Sequence, residues 1–221
     1  MTPVQLVEEA RRRGLDAVCV TEHNGSWERW EAKKLAEEHN FIVLRGIEVS
    51  TDLGHILTFG VDRYMTGMYK AKELRKIVND HGGFMIVAHP MKGFPKPGRS
   101  HDGYRGKTPT IEEAARFPVF EYIDDIEVYN GACSEFENLL AFQVAKYLGK
   151  QGTGGSDTHS MGSIGRYTTV FENDEIRTVE DLVRELKAGR FHHGVRPYQK
   201  SLLPQVDWMG DGAFESIDDM I

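Results

Sequence analysis

Six residues carry the side chains that hold divalent cations: His23, Glu48, His55, His89, Asp157 and His159. Imidazole nitrogen and carboxylate oxygen suit zinc, manganese and iron, and one carboxylate can bridge two ions. Taken singly, each is a weak motif, and a turn or capping role is the commoner one. As an ordered series they are stronger: Glu-His, Gly-Ile-Glu-Val, Gly-His-Ile-Leu, Ala-His-Pro and Gly-Gly-Ser-Asp-Thr-His each fall at the boundary of an apolar run.

Spacing adds conditional support. If Asp52-Leu53 forms a two-residue hairpin turn, residue 50 lies opposite residue 55, and Glu48 and His55 share one sheet face. A three-residue turn would break that parity. Asp157 and His159, two apart in extended chain, share a face, and Gly154 and Gly155 before them permit close backbone approach.

The elements that must position these residues alternate between helix and strand. Thr2-Pro3-Val4-Gln5 is a capping box with proline at the first helical position. That predicts a helix to about Arg13, stopped by Gly14. Strands are expected over Leu15–Val20, Phe41–Val49, Gly54–Val61, Phe84–Ala88, Ile126–Tyr129, Thr153–Ser156 and Tyr167–Phe171. Helices are expected over Trp27–Glu38, Ala71–Asn79, Glu135–Leu148 and Thr178–Ala188, with a short one after Thr110. This alternation indicates a parallel α/β architecture, and in such barrels the strand C-terminal ends converge on one face. The chain opens on a helix where such a pattern should open on a strand.

The 221 residues predict a single domain spanning 1–221. A hydrophobic share of 40% and a net charge of −7 are those of an ordinary globular chain, and disfavour broad nucleic-acid or anionic-membrane binding. No run approaches 18 apolar residues, and the arginine-rich N-terminus lacks the apolar core of a secretory signal. Two cysteines, Cys19 and Cys133, suggest a reducing, cytoplasmic compartment. Neither lies near a predicted motif, and there is no Gly-x-Ser-x-Gly or P-loop sequence, so covalent catalysis and triphosphate cradling lack local support.

The segments VTEHN, GIEVST, GHILTFG, IVAHP, IEVYNG and GGSDTHS, followed by IGRYTTVF, resemble the PHP (polymerase and histidinol phosphatase) family of metal-dependent phosphoesterases, over residues 18–171. The resemblance implies a distorted (β/α)7 barrel with two or three divalent ions (zinc, manganese or iron) at the strand C-termini. Glu48 would bridge two metals, His55 and His89 would complete one site, Asp157 would serve a second, and His23 and His159 a third. The family normally begins with a strand carrying His-x-His, and no histidine precedes Thr21 here. The first strand is therefore expected to be missing from this chain, with the natural start upstream of Met1.

The implied reaction is hydrolysis of a small phosphorylated substrate by metal-activated water, with His159 and Arg166 as catalytic candidates. The alternatives are a catalytically degenerate metal-binding or regulatory module, and a hydrolase of C–N bonds. The last is disfavoured because no lysine suited to carbamylation stands at a strand end. Glu22 is expected to orient His23. Arg99, His101 and Arg105 lie in a long loop that could cover the site. His39 and His81 are expected at helix C-termini and His192-His193 as a surface pair. Trp27, Trp30 and Trp208 are read as packing residues and Cys19 as a core residue.

Overall fold

A computed structural model of the chain describes residues 1–94 and 109–195; Arg99, His101, Arg105 and Trp208 lie outside them. The chain runs α1 (Pro3–Arg12), β1 (Ala17–His23), α2 (Arg29–His39), β2 (Ile42–Thr51), β3 (Gly54–Phe59), α3 (Ala71–Asp80) and β4 (Phe84–Val87). It continues with α4 (Ile111–Ala114), β5 (Asp125–Asn130), α5 (Glu135–Tyr147), β6 (Thr153–Gly155), β7 (Tyr167–Phe171), α6 (Val179–Ala188) and β8 (Phe191–Val195).

Local chemistry sets the helix ends. The capping box at Thr2 and Gln5 forms, and matching boxes start α4 at Thr110, α5 at Ser134 and α6 at Thr178. Each satisfies two amide groups that the first turn would leave unpaired. Gly189 ends α6 in the left-handed conformation.

Strands β1 to β6 form one sheet in sequence order, and β7 and β8 form a separate antiparallel pair. The sheet is a curled half-barrel, mixed rather than parallel: β3 runs antiparallel to both β2 and β4. That departs from the parallel architecture expected from the sequence, because the β2–β3 hairpin reverses β3 against both its neighbours. The described residues do not complete a seven-stranded ring. Strand β8, which the sequence reading did not anticipate, pairs with β7 from Tyr167↔Val195 to Phe171↔Phe191. His193 lies on it, half-buried with ring contacts to Tyr129 and Phe142. It is therefore not half of a surface pair, and burial pushes its pKa down.

Between the sheet and α3 to α5, Ile47, Ile56, Leu74, Met85, Ile126 and Leu140 pack with little or no exposure. A second cluster joins Leu44, Phe59 and Ile86 to Leu182 and Leu186 of α6. A third joins Val7 and Ala10 of α1 to Ala32, Leu35 and Val43.

Strand β1 is the exception. Its sequence AVCVTEH reads as apolar at the start, yet none of its residues is buried. Among the described residues it pairs only with β2, and it borders a groove of about 1620 Å³ whose opposite wall includes Thr153, Gly154 and Thr168. Cys19 is exposed on this edge rather than in the core. Trp30 is also exposed, whereas Trp27 packs against the α1–α2 cluster.

Candidate metal centre

Strand register brings the candidate ligands together. His23 is the β1 partner of Glu48 in the parallel β1–β2 pair. Across the hairpin Ser50 faces His55, the two-residue turn register that puts Glu48 and His55 on one face. The His55 carbonyl accepts the Ala88 amide at 3.0 Å, which ties the end of β4 to β3 and sets His89 next in line. Three of these strand ends turn sharply: Asn24, His89 and Asp157 have φ of 50°, 32° and 45°, a region that non-glycine residues rarely occupy.

At the centre is Glu48, which is 7% exposed. His55 Nδ1 lies 2.8 Å from its Oε1 and His89 Nε2 lies 3.4 Å from the same oxygen, while His23 Nε2 lies 3.8 Å from Oε2. His89 Nε2 is also 4.0 Å from Asp157 Oδ2. The three imidazoles stand edge to face, with centroids 5.0 Å apart for His23 and His55 and 5.2 Å for His55 and His89. Packing three imidazoles round one buried carboxylate is the donor chemistry of a divalent-cation site. One ligand atom from each of His23, Glu48 and His55 lies within 4.8 Å of the other two, so the residues fit such an ion.

The remaining candidates spread outward. His159 has an exposed side chain and sits 3.7 Å from Asp157 Oδ1, on the rim. The Arg166 guanidinium donates to the Gly131 carbonyl at 2.9 Å and lies over the Tyr167 ring. This fastens the loop after β6 to the loop after β5. Glu22 accepts the Trp27 indole N–H at 3.2 Å; it anchors that ring, and no hydrogen bond links it to His23 among the described residues. His39 ends α2 and His81 caps α3, as expected.

Two residues not singled out from the sequence belong to the site. Lys92 Nζ lies 3.3 Å from Asp157 Oδ2. Glu127, 4% exposed within β5, accepts the His89 amide at 2.9 Å and Asn130 Nδ2 at 2.9 Å. A Cβ at residue 155 would sit 2.3 Å from Glu127 Oε1, which is why Gly155 stands there. A carboxylate inside the apolar run of β5 was the available signal, since charged residues are almost never fully buried without partners.

The electrostatics agree with this arrangement. Burial pushes the Glu48 carboxyl up, but the His89 hydrogen bond and the nearby imidazoles outweigh it and hold the pKa below the usual value. Asp157 is likewise held low, with Lys92 and His89 overcoming burial. Burial opposes the charged form of His89, yet Glu48, Glu127 and Asp157 raise its pKa. Burial dominates at Glu127 and pushes it up to about 7. Two carboxylates held ionised and one carboxyl that titrates near neutrality thus share the site.

Comparison with known proteins finds likenesses to part of the chain and to its fold. Residues 135–191 match the family model described as PHP-associated. The uncharacterized protein MJ1587 of Methanocaldococcus jannaschii is 27% identical over 88 residues, 40% of this chain and 52% of that protein. The chain thus spans about half the length of the curated relative it matches. PsfC from Pseudomonas syringae aligns with a TM-score of 0.56 at 20% identity, covering 90% of this chain and 89% of that one. A protein from Bifidobacterium adolescentis described as a metal-dependent phosphoesterase aligns at 0.56 and 18%, covering 90% and 93%. An amidohydrolase from Chromobacterium violaceum, with bound sulfate and no metal, aligns at 0.57 and 18%, covering 86% and 92%. At these identities the likeness is one of fold. The family-model match and the shared fold together support a PHP-family protein.

Proposed function

We propose, from that family support and from the site, that this chain is a metal-dependent hydrolase of phosphate esters. The observation that carries the proposal is the buried Glu48 carboxylate with His23, His55 and His89 converging on it. The phosphoesterase and amidohydrolase named among the structural neighbours support the hydrolase class. A divalent ion in such a site supplies Lewis-acid charge for phosphoryl oxygens and lowers the pKa of a bound water.

In this reading His23, Glu48, His55 and His89 hold one or more divalent ions (zinc, manganese or iron), and Asp157 and His159 extend the donor set. Glu127 and Asn130 fix the His89 backbone and so keep its ring aimed at Glu48. Such outer partners set ligand orientation. Lys92 provides the protein's own cation for a phosphate beside Asp157. Exposed on the rim, His159 can carry a proton to the leaving oxygen. Arg166 acts from behind, holding the loop that presents Asp157.

The test is metal content together with turnover. Chelated protein is titrated with manganese or zinc and assayed on p-nitrophenyl phosphate, beside Glu48→Ala and Arg166→Ala. Glu48→Ala should lose metal and turnover together, while Arg166→Ala keeps its metal. Equal metal loss in both variants would sink the assignment. A fully loaded wild type that hydrolyses no phosphate ester would instead favour a degenerate metal-binding module.

A further inference from the structure

A second cavity of about 480 Å³ opens beside the metal centre. It falls within the 300–1,000 Å³ typical of small-molecule sites. His55 and His89 form the wall it shares with the site. The other walls are apolar: Leu53 from the β2–β3 turn, Val87 and Ala88 from the end of β4, then Phe117, Pro118 and Val119. Phe117 is stacked on Phe94 at 5.8 Å and on Phe120 at 6.5 Å. Gly54 leaves open space at the turn, with nothing within 4 Å of an added Cβ.

The charge pattern is one-sided. Among the described residues, Lys92 is the single lysine or arginine in the lining, and no aspartate or glutamate lines it. The Lys92 ammonium also reaches Asp157, so it stands between the apolar cavity and the acidic end of the centre. A phosphate near Lys92 and the centre would leave its ester group facing Phe117 and Val87. A cationic ester group would find no carboxylate among the described lining residues, whereas an uncharged ring would bury apolar surface against a preformed wall.

We propose that this cavity is the leaving-group pocket, and that it selects phosphate monoesters of alcohols bearing an uncharged apolar or aromatic ring. The proposal rests on the hydrolase reading above and deepens it by naming the substrate class. Phe117 and Leu53 determine specificity, and Lys92 positions the phosphate at the mouth.

The experiment compares benzyl phosphate, ethyl phosphate and phosphoethanolamine on metal-loaded protein. These are all esters of alkyl alcohols, so leaving-group chemistry changes less than the group the pocket meets. Benzyl phosphate should exceed ethyl phosphate in kcat/KM by at least about tenfold, the discrimination one small apolar group gives in a hydrophobic pocket. Phe117→Ala should erode that ratio by roughly tenfold, mainly through KM. Leu53→Glu, at the half-buried β2–β3 turn, should shift preference toward phosphoethanolamine, and it gives a second variant at a different element if Phe117→Ala fails to fold. Binding of the non-hydrolysable benzylphosphonate, read by calorimetry, separates this proposal from the hydrolase reading. If no ester is cleaved but benzylphosphonate binds wild type about tenfold more tightly than it binds either variant, the pocket stands and the hydrolase reading falls. Equal preference for benzyl and ethyl esters, or variants that bind benzylphosphonate as tightly as wild type, would overturn the pocket.

Discussion

Glu127→Gln should make the protein less sensitive to rising pH. The Glu127 carboxyl is raised from its ordinary 4.5 to about 7 by burial, against the opposing hydrogen bonds from Asn130 and the His89 amide. Below pH 4.5 it is protonated in both native and unfolded chains. Between 4.5 and 7 the unfolded chain gives up the proton and the native chain keeps it, so native stability falls as pH rises. Above 7 both are ionised and the loss is complete. The gap from 4.5 to about 7, at about 1.36 kcal/mol per pH unit, comes to about 3 kcal/mol. The residue is 4% exposed, so solvent screening removes little of this. Glutamine keeps an oxygen for the His89 and Asn130 donors but has no proton to lose. Urea unfolding of chelated protein at steps from pH 4.5 to 7.5 measures the effect. Relative to the glutamine variant, wild type should lose about 3 kcal/mol across that window. Glu48 and Asp157, both held low, lose their contribution as pH falls in both proteins, whereas His89, which Glu127 helps hold charged, titrates with Glu127, so the difference reads the two groups as a pair. A difference that stays flat across the window would refute the burial argument.

Other expectations follow from packing and geometry. Gly155→Ala puts a Cβ 2.3 Å from the buried Glu127 Oε1; it should weaken manganese binding about 10- to 100-fold in a chelator competition, as loss of an outer partner does. Leu74→Ala empties a side chain with no exposure in the main core and should cost about 3 kcal/mol in urea unfolding, with the slope unchanged. Thr178→Ala removes the hydroxyl that caps α6 through the Asp181 amide at 3.1 Å and should lower stability by about 1 kcal/mol. A cost near zero there would mean that the Asp181 carboxylate alone holds the helix start.

What the sequence made legible was what local periodicity controls. The hairpin parity placed Glu48 and His55 together because side chains alternate strictly along strands, and the two-residue turn forms. Helix starts at Thr2 and Thr178 were readable because capping is a contact over three residues. Features set by distant partners were not. Cys19 sits in an apolar run, yet among the described residues β1 has a strand neighbour on one side only. The side chain of His193 is enclosed by rings from β5 and α5, which nothing in the local sequence FHHGV announces. Glu127 was visible as a carboxylate in an apolar strand with Asn130 three residues on, but its other partner, the His89 amide, comes from chain brought near by folding. Lys92 followed a recognised His-Pro pair, and only the fold turns its ammonium toward Asp157.

The left-handed turns at Asn24, His89 and Asp157 bear on how this protein can change over generations. A non-glycine residue held there costs roughly 1–3 kcal/mol, and glycine would relieve most of it. Asn24 secures the ends of β1 and β2 by accepting the Ser50 amide and donating its own to the Glu48 carbonyl, both at 2.9 Å. At His89 and Asp157 the side chains that resist relief are the ones turned toward Glu48 and Lys92. Because most random substitutions destabilise, a lineage freed from binding ions should accept glycine at 89 and 157 early as compensation. Descendants that keep histidine and aspartate on these strained corners would mark a site still under selection, and glycine at both would date its retirement.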